Sequence, residues 1–187
     1  MGFDRESCHS RITAAAAAVR ALEGHLDAIV GAGKAVRAAV EGSGTIFVFG
    51  NGGSAAQSLH MAEELIGKYR LPRAPIRALC LNADPTALTC IANDFGFAEV
   101  FARQVRGLAR TGDVVVALST SGASENIVRG LTAARELGVT TIGLLGRDGG
   151  AALALCDHAI VVPARESELI QEAHQVVVHL LVEAAEG

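Results

Sequence analysis

Five short apolar runs set the terms for what this chain can fold into: TIFVF (45–49), IRALCL (76–81), VVVAL (114–118), TIGLL (141–145) and HAIVV (158–162). Each is close to five residues long and nearly continuous rather than alternating with polar residues. That is the pattern of strands buried on both faces of a parallel sheet. Helix-patterned stretches separate them, at 54–69, 84–110 (in two pieces), 124–137, 150–155 and 166–185. Strand alternating with helix predicts right-handed βαβ units and an α/β fold with an open, doubly wound, mostly five-stranded parallel sheet. Ligands of such sheets sit beyond the carboxyl ends of the strands, so the chemistry belongs in the loops that follow them.

The region before residue 43 reads differently. Residues 10–40 are rich in Ala and Val, with an alanine run at 14–18 that strongly favours helix and Ser10 available as a cap. Gly24, Gly31 and Gly33 predict a break, giving two helices rather than one rod. Leu22, Leu26, Ile29, Val30, Val36 and Val40 form an apolar stripe with no core of its own. Residues 1–42 are therefore expected to be a helical extension packed on the main domain, 43–187, and on another subunit.

Half of the residues are hydrophobic, 19% are charged and the formal net charge is −4. A chain of this kind fills a core and is not disordered. It has no basic stripe for nucleic acid and no run of about 18 apolar residues for a membrane span. Its first ten residues hold two acids and no apolar run, unlike a signal peptide, and a cytoplasmic protein is expected. The cysteines at 8, 80, 90 and 156 form no C-x-x-C pair; Cys80 and Cys156 fall in or beside apolar runs and read as core residues.

The first strand runs into Gly50-Asn51-Gly52-Gly53-Ser54 and then directly into a helix. Glycines allow a tight turn and close approach of a ligand, and a helix start offers free N–H groups and positive potential, so an anion is the natural guest. The string 50–55 also fits the loose dinucleotide pattern G-x-G-x-x-A, but the second strand ends in Leu81-Asn82 without the acid that a ribose needs. The third strand ends in Ser119-Thr120-Ser121-Gly122, with Ser124 just before the next helix. One side chain suffices as a cap; four hydroxyls beside free N–H groups suit a phosphate monoester. Asn93-Asp94-Phe95-Gly96-Phe97 reads either as a turn or as a pair of hydrogen-bonding groups for sugar hydroxyls.

His60 and Glu64 stand at i and i+4 on one helix face. On the last helix Gln171, Gln175 and His179 share a second face, with His174 to the side. An imidazole, a carboxylate, an amide and a second imidazole can hold a borderline divalent metal such as zinc, and a carboxylate with an imidazole can equally act as an acid/base pair.

Taken together, GNGGS, H-x-A-E-E (60–64), NDFGF, STSG-x-S and Q-E-x-H-x-x-x-x-H (171–179) resemble the sugar-isomerase (SIS) domain family over roughly 45–185, and more narrowly its branch acting on sedoheptulose 7-phosphate. The resemblance implies an aldose–ketose isomerase that makes D-glycero-D-manno-heptose 7-phosphate through an enediol. It places zinc on His60, Glu64, Gln171 and His179, and acid/base work on Glu64 and His179. The phosphorylated seven-carbon sugar would meet Asn51, Gly52, Gly53, Ser54, Glu64, Asn93, Asp94, Ser119, Thr120, Ser121, Ser124 and Gln171. It also implies a homotetramer with sites shared between subunits. Glu168 stands where many members carry Asp. Two rivals remain at this level: a non-catalytic SIS protein that binds a replication initiator or a sugar phosphate, and a nicotinamide-dependent reductase.

Overall fold

All five runs become strands of one sheet in the computed structural model, which describes residues 2–187. These are β1 (Ile46–Gly50), β2 (Ala78–Cys80), β3 (Val114–Ser119), β4 (Thr140–Gly146) and β5 (His158–Val162), in the spatial order β2-β1-β3-β4-β5. Every neighbouring pair is parallel. The central strands β1 and β3 are buried throughout.

Side chains alternate across a strand, so each strand feeds two cores. Ile46, Val48, Val114, Val116 and Leu118 enter one, against α2 (Leu26–Glu41), α3 (Gly53–Ile66) and α7 (Ser167–Glu186). Phe47, Phe49, Val115 and Ala117 enter the other, against α5 (Ala102–Leu108) and α6 (Glu125–Glu136). Each fully buried Val, Leu, Ile or Phe contributes about 1.5–3 kcal/mol, so the two cores dominate what holds the sheet. The edge strand β2 has only three residues, shorter than the apolar run 76–81, and a short edge limits pairing with other chains.

The amino-terminal region departs from expectation in detail. The first helix, α1 (Arg5–Arg20), starts before Ser10, because Asp4 and Ser7 form a capping box: the Asp4 carboxylate accepts the Ser7 N–H at 2.8 Å, and Ser7 Oγ accepts the Asp4 N–H at 2.9 Å. The break falls in a 3₁₀ turn at Ala21–His25 that includes Gly24. Gly31 and Gly33 break nothing; both lie inside α2. A Cβ on Gly33 would stand 3.1 Å from Ala184 Cβ, so its role is close packing of α2 on α7.

The stretch 84–110 divides at Gly96 into α4 (Pro85–Phe95), a 3₁₀ turn and α5. Asn93 and Asp94 therefore belong to the last turn of α4 rather than to a loop. The stretch 150–155 is 3₁₀. Among the described residues no helix is long and apolar enough to cross a membrane. The chain leaves β1 for β2 on one side and returns to β3 on the other, which makes the crevice between the ends of β1 and β3 the topological switch point.

Candidate active site

The loop after β1 turns at Gly52, whose φ of +57° suits glycine. Gly53 then opens α3 with no side-chain cap. Gly53 also lies against α7: a Cβ there would be 2.5 Å from Gln171 Nε2. Ser54 is only 2% exposed and sits inside the first turn of α3, the least accessible of the expected contacts. Asn82 stands where a dinucleotide site would carry its acid. Its amide instead accepts from Gly50 N–H at 3.2 Å and donates to Gly50 O at 2.9 Å, continuing the sheet by one step.

Across the crevice, the β3 loop is built by its own hydroxyls. Ser119 Oγ accepts the Gly122 N–H at 3.0 Å, and Ser121 Oγ accepts the Ala123 N–H at 3.2 Å. Thr120 Oγ1 lies 3.3 Å from Ser167 Oγ at the start of α7. Ser124 precedes α6 but makes no capping bond, so its hydroxyl is free for a ligand. A cavity of about 730 Å³ opens alongside, lined in part by Ser121, Ala123, Asp148 and two arginines, Arg147 and Arg165. The two loops are tied by a reciprocal amide pair: Asn51 Nδ2 donates to Asn126 Oδ1 at 2.9 Å and Asn126 Nδ2 donates to Asn51 Oδ1 at 2.8 Å. Asn93 and Asp94 are not drawn into this cluster. They stand exposed at the end of α4, hydrogen-bonded to each other at 2.7 Å.

On the α7 side of the sheet, α3 and α7 bring His60, Glu64 and His179 together, with one ligand atom of each within 4.8 Å of the others. His60 Nε2 is 3.2 Å from His179 Nε2 and 3.7 Å from Glu64 Oε1. Zinc bound tetrahedrally at about 2.0–2.1 Å sets neighbouring donors about 3.4 Å apart, so these separations fit the ion. His60 Nδ1 faces the Glu63 carboxylate at 3.3 Å, an outer partner of the kind that orients a metal-binding imidazole. Gln175 Nε2 lies 3.1 Å from His179 Nε2 and can donate to it. Two imidazole nitrogens and a carboxylate oxygen converging from α3 and α7 form a donor set that suits a cation.

Gln171 lies just over two turns before His179 on α7, with its amide against Gly53. The amide beside His179 belongs to Gln175. Gln57 joins both: its Nε2 donates to Gln171 O at 2.7 Å and to Gln175 Oε1 at 3.2 Å. Glu63, Gln57, Tyr69 and Asn126 are the neighbours that reading the sequence missed; of these, Glu63 and Gln57 were signalled by sharing α3 with His60. His174, to the side of the Gln171–His179 face, is buried and packs its Nε2 3.0 Å from Leu145 O.

Comparison with known proteins gives the class first. The SIS domain model matches residues 10–146, and the chain belongs to the SIS-domain family. A phosphoheptose isomerase of a Nitratiruptor species is 52% identical over 136 residues, 73% of each chain. That of Solidesulfovibrio magneticus is 46% identical over 168 residues, 90% of this chain and 82% of the other. The structure of phosphoheptose isomerase from Neisseria gonorrhoeae superposes with a TM-score of 0.91 at 35% identity, covering 97% of this chain and 98% of that one. Within the family this chain thus falls with the phosphoheptose isomerases, and it is an isomerase.

Proposed function

We propose that this isomerase interconverts sedoheptulose 7-phosphate and D-glycero-D-manno-heptose 7-phosphate through an enediol. The observation that carries the reading is the convergence of His60, Glu64 and His179 from two helices in a chain whose relatives are named phosphoheptose isomerase. Turning the ketose into the aldose removes a proton from C1 and returns one at C2, while hydroxyl protons exchange between O2 and O1. Glu64 and His179 share these transfers. Glu64 brings a carboxylate that can take and return a proton.

Ser119, Thr120, Ser121 and Ser124 hold the phosphate, and Asn51, Gly52, Gly53 and Ser54 line the opposite wall. Glu64 and Gln171 meet the sugar in their own subunit, while Asn93 and Asp94, exposed at the end of α4, meet that of a neighbouring subunit. Anchoring the remote phosphate lets binding energy orient the reacting carbons. His60, Glu64 and His179, with Gln171 as fourth donor, would hold zinc. When bound, the ion polarises the substrate carbonyl and stabilises negative charge developing on its oxygen. Self-association, on this reading into a homotetramer, is supported by apolar side chains left outward on the amino-terminal helices and around the end of α4, among them Ile12, Leu26, Val30, Phe95 and Phe97. On this reading residues 1–42 form the assembling extension and 43–187 the SIS domain.

Glu64→Gln and His179→Gln, assayed on sedoheptulose 7-phosphate, test the proposal. Each is expected to lose at least a hundredfold in kcat. Near-normal rates in both, with the fold intact, remove the acid/base assignment.

A further inference from the structure

Between α3 and β2 lies a segment that reaches back to the site. Tyr69 stacks its ring on the His179 imidazole, with centroids 5.5 Å apart and planes 22° apart. What holds Tyr69 there is the last turn of α7. Glu186 Oε1 accepts the Tyr69 N–H at 3.2 Å, and Glu186 Oε2 accepts the Arg70 N–H at 3.2 Å. Arg73 Nε donates to the same carboxylate at 3.1 Å. Arg73 then donates from Nη1 to Leu65 O and from Nη2 to Glu64 O, both at 2.8 Å.

This pair differs from the ion pairs on the surface. The side chains of Arg73 and Glu186 are 14% and 5% exposed, whereas those of Arg70 and Glu183, close by, are 60% and 48% exposed. A shielded pair in which the carboxylate accepts several N–H groups is held rigidly, because moving either member strands the other in a poorly solvated place. One end of the network grips the backbone of Glu64 and the other fixes the ring that lies on His179.

We propose that Glu186, Arg73 and Tyr69 form a positioning latch that keeps the His179 ring in register with Glu64 for the proton transfers. The inference rests on the reading that Glu64 and His179 act on the substrate. Glu186 and Arg73 act only through other residues, and a displacement of the imidazole by a fraction of an ångström is what their loss would produce.

Full-length variants test it. Because the chain has one tyrosine and no tryptophan, its near-ultraviolet emission reports Tyr69 with little interference. In Glu186→Ala, acrylamide quenching of that emission is expected to steepen about twofold as the ring leaves its stack, and kcat to fall about tenfold with KM within about twofold of normal. Tyr69→Ala should match that loss, the double variant should be no worse than either single, and Tyr69→Phe, which keeps the ring, should retain the normal kcat. Unchanged quenching in Glu186→Ala, normal turnover in both alanine variants, or losses that multiply in the double variant would each overturn the latch. If Glu186→Ala does not fold, Glu186→Gln, which keeps an acceptor oxygen but drops the charge, carries the same comparison. An inactive His179→Gln beside fully active Tyr69→Ala and Glu186→Ala sinks the latch alone. A fully active His179→Gln sinks the acid/base reading and the latch with it.

Discussion

Lowering the pH from 7 to 5 should destabilise this protein through His174, a residue outside the proposed chemistry. His174 has no exposed surface, and its Nε2 lies 3.0 Å from the carbonyl oxygen of Leu145. A carbonyl only accepts, so Nε2 carries the proton and Nδ1, which has no partner, is bare. A second proton would leave a charge in an apolar core. Burial accordingly pulls the group down from 6.5 to about 4, opposed by the bond to Leu145. In the unfolded chain the same side chain titrates near its ordinary value. Between these limits the unfolded state binds a proton that the folded state refuses, so the stabilisation is complete above about pH 6.5 and is lost progressively as pH falls towards 4. At about 1.4 kcal/mol per pH unit, the loss is roughly 2 kcal/mol by pH 5 and roughly 3 kcal/mol by pH 4.

Urea unfolding at pH 7 and pH 5 in the presence of chelator, on the natural chain and on His174→Gln, isolates the effect. Glutamine retains a nitrogen donor for Leu145 and cannot titrate. With a denaturant slope of about 2 kcal/mol per molar, the pH-induced shift in midpoint should be about 1 M larger in the natural chain than in the variant. Equal shifts in the two proteins would refute the reasoning.

Gly53→Ala places a methyl group where Gln171 Nε2 would be 2.5 Å away. The amide is mobile, so stability should change by less than about 1 kcal/mol in a thermal melt while turnover falls at least tenfold; unaltered turnover would mean that the place of Gln171 is immaterial. Asn126 is 3% exposed and bonded twice to Asn51, so Asn126→Ala should cost about 2 kcal/mol in urea unfolding and raise KM for the sugar phosphate by loosening the β1 loop. Burial, with Asp157 alongside, pushes the Cys156 thiol up to about 12, and burial also raises Cys80. At pH 8 a thiol reagent should therefore label exposed Cys90 rapidly and leave Cys80 and Cys156 unmodified until urea is added, as read by mass spectrometry.

The sheet was legible because its central strands carry almost unbroken apolar runs, a pattern that two-sided burial explains. The loop after β3 was legible as more than a helix cap, since Ser119 and Ser121 use their hydroxyls to build it and Ser124 makes no capping bond. The start of α1 was not, because Asp4 and Ser7 cap it with polar residues ahead of the alanine run. Gly31 and Gly33 misled because helix propensity weighs a glycine against solvent, whereas α2 uses Gly33 to approach Ala184. Helical spacing put Gln171, Gln175 and His179 on one face without saying which amide lies beside the imidazole. Tyr69 was out of reach altogether: its link to Glu186 spans 117 positions, and no local pattern marks such a contact.

Purified protein incubated with sedoheptulose 7-phosphate and followed by NMR tests the central claim most directly. With zinc supplied, resonances of the aldose heptose 7-phosphate should grow at the expense of the ketose, and a chelator should stop the conversion until zinc is restored. No aldose product from metal-loaded, folded protein would contradict the account.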